Sequence, residues 1–364
     1  MVVNNDMKKI VIAAGGTGGH LYPGIALARE LMLRGCQPIF IVTENEMCRT
    51  ILIEEKFDFV EIPARGMPRR FSLGLVPFLY YLVRSFLAAR VLIGRIRPAA
   101  VVGMGGYISF PVIVAATVSR IPTLIHEQNC LPGLANRILA RCVKRVAVSF
   151  EESLSYFPTK ITVVTGNPVR RDLFGVDYTA ALHRLHLSPE KFTVLIFGGS
   201  QGAQAINQTV IKSWALLPLS CRENIQFLHV AGKKDYDTTA AGYRDNKITG
   251  IVLAYLHEIG DAYAVSDLII CRSGATTVAE IKMLGTPAIL VPYPYATANH
   301  QEFNAQGLVK SGQAVMIIEK NLSPEIFVQE IVTRMHNFHR EHMAIKIPER
   351  FAQQVLSDAV LALS

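Results

Sequence analysis

The chain has 364 residues, 50% of them hydrophobic and 18% charged, with a formal net charge of +8 at pH 7. That length accommodates two domains of ordinary size, and the apolar share excludes a disordered chain. The positive charge admits nucleic acid, an anionic membrane or an acidic substrate, but no zinc spacing, recognition-helix signature or aromatic ribonucleoprotein motif accompanies it, so no nucleic-acid partner is expected.

The opening MVVNNDMKKIVIAAGG leads straight into a strand, without the apolar core and small-residue cleavage site of a signal peptide. Five runs in the first half, KKIVIAA, PIFIVT, AAVVG, PTLIHE and RVAVSF, are matched by TVLIFGG, IQFLHVAG, GIVLA, DLIICR and PAILVPY in the second. All are short, rich in Val and Ile, and separated by longer helix-like segments. They predict parallel strands buried on both faces by crossover helices, hence an α/β fold with one doubly wound domain in each half. The join is expected near VVTGNPVRRDLFGVDYTAA, where Gly166, Pro168 and Gly175 break periodicity. Six cysteines (Cys36, Cys48, Cys130, Cys142, Cys221, Cys271) lack C-x-x-C spacing and read as reduced thiols acting as small core hydrophobes.

The first strand runs into Gly15-Gly16-Thr17-Gly18-Gly19 and then His20. Glycines there let backbone N–H groups close on a ligand, and a following helix N-terminus favours negative charge. A dinucleotide fingerprint would need glycine where Leu21 stands, although Glu44 after the next strand mimics its acidic ribose ligand. His20, at the mouth of this turn, suits a general base, since neutral imidazole accepts a proton from a hydroxyl; a lone histidine is otherwise structural.

Residues 64–98 mix an apolar stretch with Arg65, Arg69, Arg70, Arg84, Arg90, Arg95 and Arg97. From Phe71 the uncharged run ends at Arg84 after 13 residues, broken by Pro77, so no membrane span is expected. Either the segment dips into anionic lipid or it is a buried helix whose arginines snorkel outward. GMGGYISFP (103–111) then ends another strand in glycines, and HEQN places His126, Glu127, Gln128 and Asn129 at the carboxyl end of the next, as a hydrogen-bonding site or a helix-capping loop.

In the second half, GGSQGAQAIN sets backbone donors and Ser200 at a helix start, and CRSGATTVAE repeats the device with Thr276 and Thr277 in the first turn. Glu280, about one turn on, suits two ribose hydroxyls or is an ordinary surface acid. His300, Gln301 and Asn304 open a further helix, where amides suit sugar hydroxyls. These donor-rich helix ends point to a nucleoside diphosphate. No cluster has metal-ligand spacing, so no metal and no cofactor are expected, and Arg170 with backbone dipoles is left to meet phosphate charge.

In this order, GGTGGH, GMGGYISFP, HEQN, GNPVR, GGSQGA, CRSGATTVAE and HQEFNA resemble the bacterial peptidoglycan N-acetylglucosaminyltransferases that form lipid II. The resemblance runs from about residue 8 to residue 310. It implies a GT-B glycosyltransferase: two Rossmann-like domains facing an interdomain cleft, UDP-N-acetylglucosamine as donor and lipid I as acceptor. It implies domains at 1–168 and 169–345, with a last helix at about 346–364 packing back on the first. Donor contacts implied are Thr17, Gly18, Gly19, Asn129, Arg170, Ser200, Leu256 through its backbone, Ala275, Thr276, Thr277, Val278, Ala279, Glu280 and Gln301. His20 is the expected base, with Glu127 and His126 as rivals. Because lipid I sits in the inner leaflet, the resemblance favours the lipid-surface reading of 64–98 and a peripheral place on the cytoplasmic face of the inner membrane. Rival readings are another GT-B UDP-sugar enzyme, such as a glycolipid hexosyltransferase, a UDP-N-acetylglucosamine epimerase, a nicotinamide oxidoreductase, or a non-enzymatic sugar-nucleotide-binding module.

Overall fold

The computed structural model describes residues 7–15, 18–66, 75–199, 202–336 and 349–364. The chain divides into two compact units, Met1–Arg170 with Glu349–Ser364, and Arg171–Pro348.

In the first unit the elements run β1 (Lys8–Ala13), α1 (Gly18–Leu33), β2 (Cys36–Thr43), α2 (Glu46–Glu54), β3 (Asp58–Ile62), α3 (Leu75–Ile96), β4 (Ala100–Gly103), α4 (Ser109–Val118), β5 (Thr123–Glu127), α5 (Leu134–Leu139), β6 (Arg145–Val148) and β7 (Thr162–Val164). The strands form one parallel sheet ordered β3-β2-β1-β4-β5-β6-β7. The central strand β4 is buried at every residue, as its uninterrupted apolar run predicts, and β5 is buried throughout although it ends in His126 and Glu127. Three strands escaped the sequence reading: β3, β7 and, in the other sheet, β13. All three lie on sheet edges. With one side unpaired they need no long apolar run, and DFVEI and the three-residue TVV carry little signal.

In the second unit the order is α6 (Tyr178–Arg184), β8 (Phe192–Phe197), α7 (Gln204–Ser213), α8 (Leu219–Asn224), β9 (Ile225–Val230), α9 (Tyr236–Asp245), β10 (Gly250–Leu253), α10 (Ile259–Ala264), β11 (Leu268–Cys271), α11 (Ala275–Leu284), β12 (Ala288–Leu290), α12 (His300–Lys310), β13 (Ala314–Met316) and α13 (Pro324–His336). Its parallel sheet is ordered β10-β9-β8-β11-β12-β13. The final helix, α14 (Ala352–Leu361), returns to the first unit. There Leu356 and Val360 are fully buried in the core that α1 shares with β1 and β2. Arg34 pairs with Asp358 and donates to the Gln354 carbonyl at 3.3 Å. The Arg34 guanidinium, first among several causes, holds the Asp358 carboxyl below the usual carboxylate range.

The strand orders locate the sites. In open α/β sheets ligands bind outside the carboxyl ends of the strands, where the order reverses. That point falls between β1 and β4 in one sheet and between β8 and β11 in the other. Each is where a strand runs into a glycine turn.

Candidate active site

In the first unit three glycines bring two loops into contact. Gly15 packs so closely that a Cβ would meet Ile108 and Thr43 at 3.2 and 3.3 Å. Gly106, at φ +77, faces the Gly15 carbonyl, and a Cβ there would lie 2.3 Å from that oxygen. Gly105, at φ +95, faces His20, whose Nδ1 would be 2.7 Å from an added Cβ. Only glycine fits both the left-handed backbone and the approach. His20 itself is the third residue of α1, half-buried, with Gly18 and Gly19 before it.

Behind His20 the HEQN stretch forms a buried polar core. The His20 ring meets the Gln128 amide, Nδ1 to Oε1, at 3.3 Å. Gln128, 2% exposed, donates through Nε2 to the Met104 carbonyl at 2.6 Å and lies 3.1 Å from His126 Nδ1. His126 is fully buried, with Nε2 3.0 Å from the Gly166 carbonyl. Burial, chiefly, lowers its pKa to about 4, so the ring is neutral at pH 7. Glu127, also 2% exposed, accepts four hydrogen bonds. Its Oε1 takes the backbone N–H and side-chain amide of Asn129 at 3.0 and 3.2 Å, and its Oε2 takes Gly133 N–H and Asn136 Nδ2 at 3.0 and 2.9 Å. Arg170, half-buried, sets its guanidinium 5.4 Å from the Tyr22 ring centroid, one turn past Gly18 on α1.

The second unit repeats the strand–glycine–helix turn. Between β8 and α7, Gly199 and Gly202 have φ +83 and +74, and a Cβ on Gly202 would lie 2.4 Å from the Ala231 carbonyl. Asn207 on α7 donates to that same carbonyl at 3.0 Å and receives His229 Nε2 at 2.9 Å. Between β11 and α11, Gly274 caps the helix, and its carbonyl accepts the first intrahelical bond, from Val278 N–H at 2.9 Å. The N–H groups of Ala275, Thr276 and Thr277 therefore precede the helix's own bonding and point out along its axis. The Val278 N–H is used within the helix and its side chain is buried. Ala275 is likewise buried as a side chain, which leaves it only its backbone.

Glu280 lies further along α11, where Tyr263 donates to its Oε2 at 2.8 Å. Gln301 accepts Tyr293 N–H through Oε1 at 2.9 Å. Arg272 ties the intervening loop down, donating to the Val291 and Pro292 carbonyls at 3.2 Å each and pairing with Glu319 at 2.5 Å. Leu256 is half-buried in the loop after β10. Thr17 and Ser200 lie outside the described residues. Among the described residues no group of three His, Cys, Asp or Glu is arranged to hold a metal ion.

One supporting residue is absent from the sequence reading and another is only partly in it. HEQN places Gln128 in a hydrogen-bonding site, but nothing in the motif says that its amide links two imidazoles. Tyr263 carried no signal, because its hydroxyl, on α10, reaches Glu280 on α11 only in the folded chain.

Comparison with known proteins gives concordant matches. Residues 10–148 match the glycosyltransferase family 28 N-terminal domain and residues 193–359 the corresponding C-terminal domain. The chain is 41% identical over 332 residues to a UDP-N-acetylglucosamine–N-acetylmuramyl-(pentapeptide) pyrophosphoryl-undecaprenol N-acetylglucosamine transferase of Halothermothrix orenii, covering 89% of each chain. It is 39% identical over 327 residues to the protein of that name from Myxococcus xanthus, covering 89% of this chain and 84% of the relative. Among solved structures it resembles MurG of Acinetobacter baumannii, with a TM-score of 0.74 at 29% identity, covering 98% of this chain and 99% of that one.

Proposed function

The chain belongs to glycosyltransferase family 28, within the UDP-N-acetylglucosamine–N-acetylmuramyl-(pentapeptide) pyrophosphoryl-undecaprenol N-acetylglucosamine transferases, and from this we propose how its own residues act. It is a GT-B enzyme that transfers N-acetylglucosamine from UDP-N-acetylglucosamine to the muramoyl 4-hydroxyl of lipid I, giving lipid II. The epimerase reading gives way to this one, since relatives at 41% and 39% identity are named as transferases.

The observation that carries the mechanism is the seating of His20 at the mouth of the β1–α1 turn, backed by a buried amide and faced by a glycine. The acceptor oxygen attacks C1 of the donor sugar in line as the bond from C1 to the diphosphate breaks, which inverts the α-linkage. His20 takes the hydroxyl proton, and the bonding pair leaves with UDP. The first-turn N–H groups of α11 offset the charge on the departing diphosphate. Glu280 receives the ribose hydroxyls and Gln301 a donor hydroxyl. Arg170, Asn129, Gly18 and Gly19 belong to the donor contacts, as do Thr17 and Ser200. Leu256 meets the uracil through its backbone.

His126 and Glu127 act as supports for His20 and Asn129 instead of as the base. His126 has a partner on each ring nitrogen, and Glu127 carries two donors on each oxygen. Neither has a lone pair to spare for a substrate proton.

The test is turnover with UDP-N-acetylglucosamine and a short-chain lipid I analogue, with EDTA present. Acceptor-dependent UDP release with formation of the β-linked disaccharide is expected. Donor hydrolysis alone, or epimerised donor, would overturn the reading.

Membrane contact is assigned to α3. Along it Val76, Leu79, Tyr80, Val83, Leu87 and Val91 are exposed on one face, while Ser85, Ala89 and Ile93 are buried on the other, Ala89 and Ile93 in a core shared with α4. Arg84, Arg90 and Arg95 on this helix and Arg97 just beyond it are exposed. By length and composition α3 also suffices to cross a bilayer. Its buried face is spent on α4, and its apolar face bordered by arginines suits a place on an anionic surface at the cytoplasmic leaflet. Arg69, Arg70 and Phe71 of the same segment lie outside the described residues. Replacing Leu79, Val83 and Leu87 with glutamate is expected to abolish co-sedimentation with phosphatidylglycerol vesicles, while turnover of a water-soluble acceptor stays within about twofold. Unchanged sedimentation would remove α3 from the membrane contact.

A further inference from the structure

We infer that Gln128 is a positioning residue that fixes the tautomer of His20, so that Nδ1 carries the proton and Nε2 presents its lone pair to the acceptor hydroxyl. This rests on the reading of His20 as the base. The chain of hydrogen bonds behind His20 has only one consistent direction, because both of its fixed ends are carbonyl oxygens, which only accept.

The Met104 carbonyl lies 2.6 Å from Gln128 Nε2. Turning the amide over would press two oxygens together at that distance, so the NH2 group faces Met104. At the other end the Gly166 carbonyl, 3.0 Å away, requires a proton on His126 Nε2. A neutral imidazole has one N–H, so His126 Nδ1 must accept, and the second hydrogen of the Gln128 NH2 reaches it across 3.1 Å. Both Gln128 hydrogens are then committed. Its Oε1 can only accept, and the group beside it is His20 Nδ1 at 3.3 Å. His20 must therefore donate from Nδ1, which leaves Nε2 unprotonated.

The surroundings hold this arrangement. Gln128 is 2% exposed and His126 not at all, so bulk water cannot substitute for a lost partner. Burial keeps His126 neutral, its pKa lowered to about 4, so its Nδ1 remains an acceptor at working pH. Gly105 closes the space beside His20 Nδ1. The carbonyls that set the direction come from residues 24 positions before and 38 positions after Gln128, so sequence proximity does not supply them.

Gln128→Met keeps roughly the same volume and removes the amide. Turnover is expected to fall on the order of 10- to 100-fold, by analogy with the loss of a hydrogen-bond partner behind a metal-bound histidine. The KM for UDP-N-acetylglucosamine should stay within about twofold. In a His20→Ala background the same change should cost nothing further, because the residue acts through the ring already removed. A comparable loss in that background would mean that Gln128 serves the fold in general, and would overturn the inference.

A second measurement avoids any variant at Gln128. Long-range proton–nitrogen correlation on histidine-labelled wild-type protein reads the tautomer of each ring, with His20 signals assigned by their loss in His20→Ala. Protonation at Nδ1 of His20 and at Nε2 of His126 is expected. Protonation of neutral His20 at Nε2 overturns the inference whatever the enzyme's chemistry. The expected tautomer together with near-normal turnover of His20→Ala would instead overturn the base assignment on which it rests.

Discussion

His20→Ala is expected to lower turnover by on the order of 10²- to 10⁴-fold, the contribution of a positioned general base, while leaving affinity for UDP within about twofold. The ring sits at the open end of the β1–α1 turn, half-buried, with Nδ1 beside the Gln128 amide. Removing it takes away the proton acceptor without emptying a core. Cores in this unit are built from fully buried groups such as Leu21, Ile25 and Leu27 on the same helix. A thermal midpoint close to that of the wild type should accompany the loss of rate. Steady-state turnover with saturating donor, alongside calorimetric titration of UDP, makes the check. Equal losses in both would mean that His20 holds the donor instead of taking a proton.

Glu127→Gln should give the opposite signature, a stability defect larger than any specific catalytic effect. The carboxylate accepts two hydrogen bonds on each oxygen and is 2% exposed. An amide has one oxygen, so two donors among Asn129, Gly133 and Asn136 would face an NH2 group and lose their partner in a place water does not reach. Each such loss costs about 1–3 kcal/mol, so destabilisation of about 2–6 kcal/mol is expected. For a unit of this size that corresponds to a midpoint lower by at least about 4 °C in thermal unfolding. The donor site should suffer too, since Asn129 is held through this carboxylate. Were Glu127 the base, the same substitution would abolish turnover and leave the midpoint where it was.

The two cases show how much of the molecule was legible before its structure. Buried central strands such as AVVG and TVLIF announce themselves, because a strand covered on both faces has no polar side to show. The half-exposed edge strands β3, β7 and β13 do not. The glycine turns were legible for a similar reason: a left-handed φ with a carbonyl within reach of the missing Cβ, as at Gly106 and Gly202, admits no other residue. The helix start at Ala275 is legible in the α11 motif, whereas the inward turn of Val278 and the use of its N–H within the helix are visible only in the fold.

By itself, then, the sequence determined the two doubly wound sheets, the glycine turns at their switch points and the chemical class of ligand those turns favour. These follow from local properties: apolar runs, residues without a Cβ, and hydroxyl or amide groups at helix starts. Only the tertiary structure gives grounds for proposing His20 over His126 and Glu127. Three side chains able to take a proton look alike in a one-dimensional string. What sets His126 and Glu127 apart is that buried protein partners already occupy both ring nitrogens of the one and both oxygens of the other. For Glu127 the donors are Asn129, Gly133 and Asn136, and for His126 Nδ1 the donor is the Gln128 amide, while the Gly166 carbonyl takes the His126 Nε2 proton. These groups meet only when β4 and β5 align in one sheet with the chain beyond β7 folded against them.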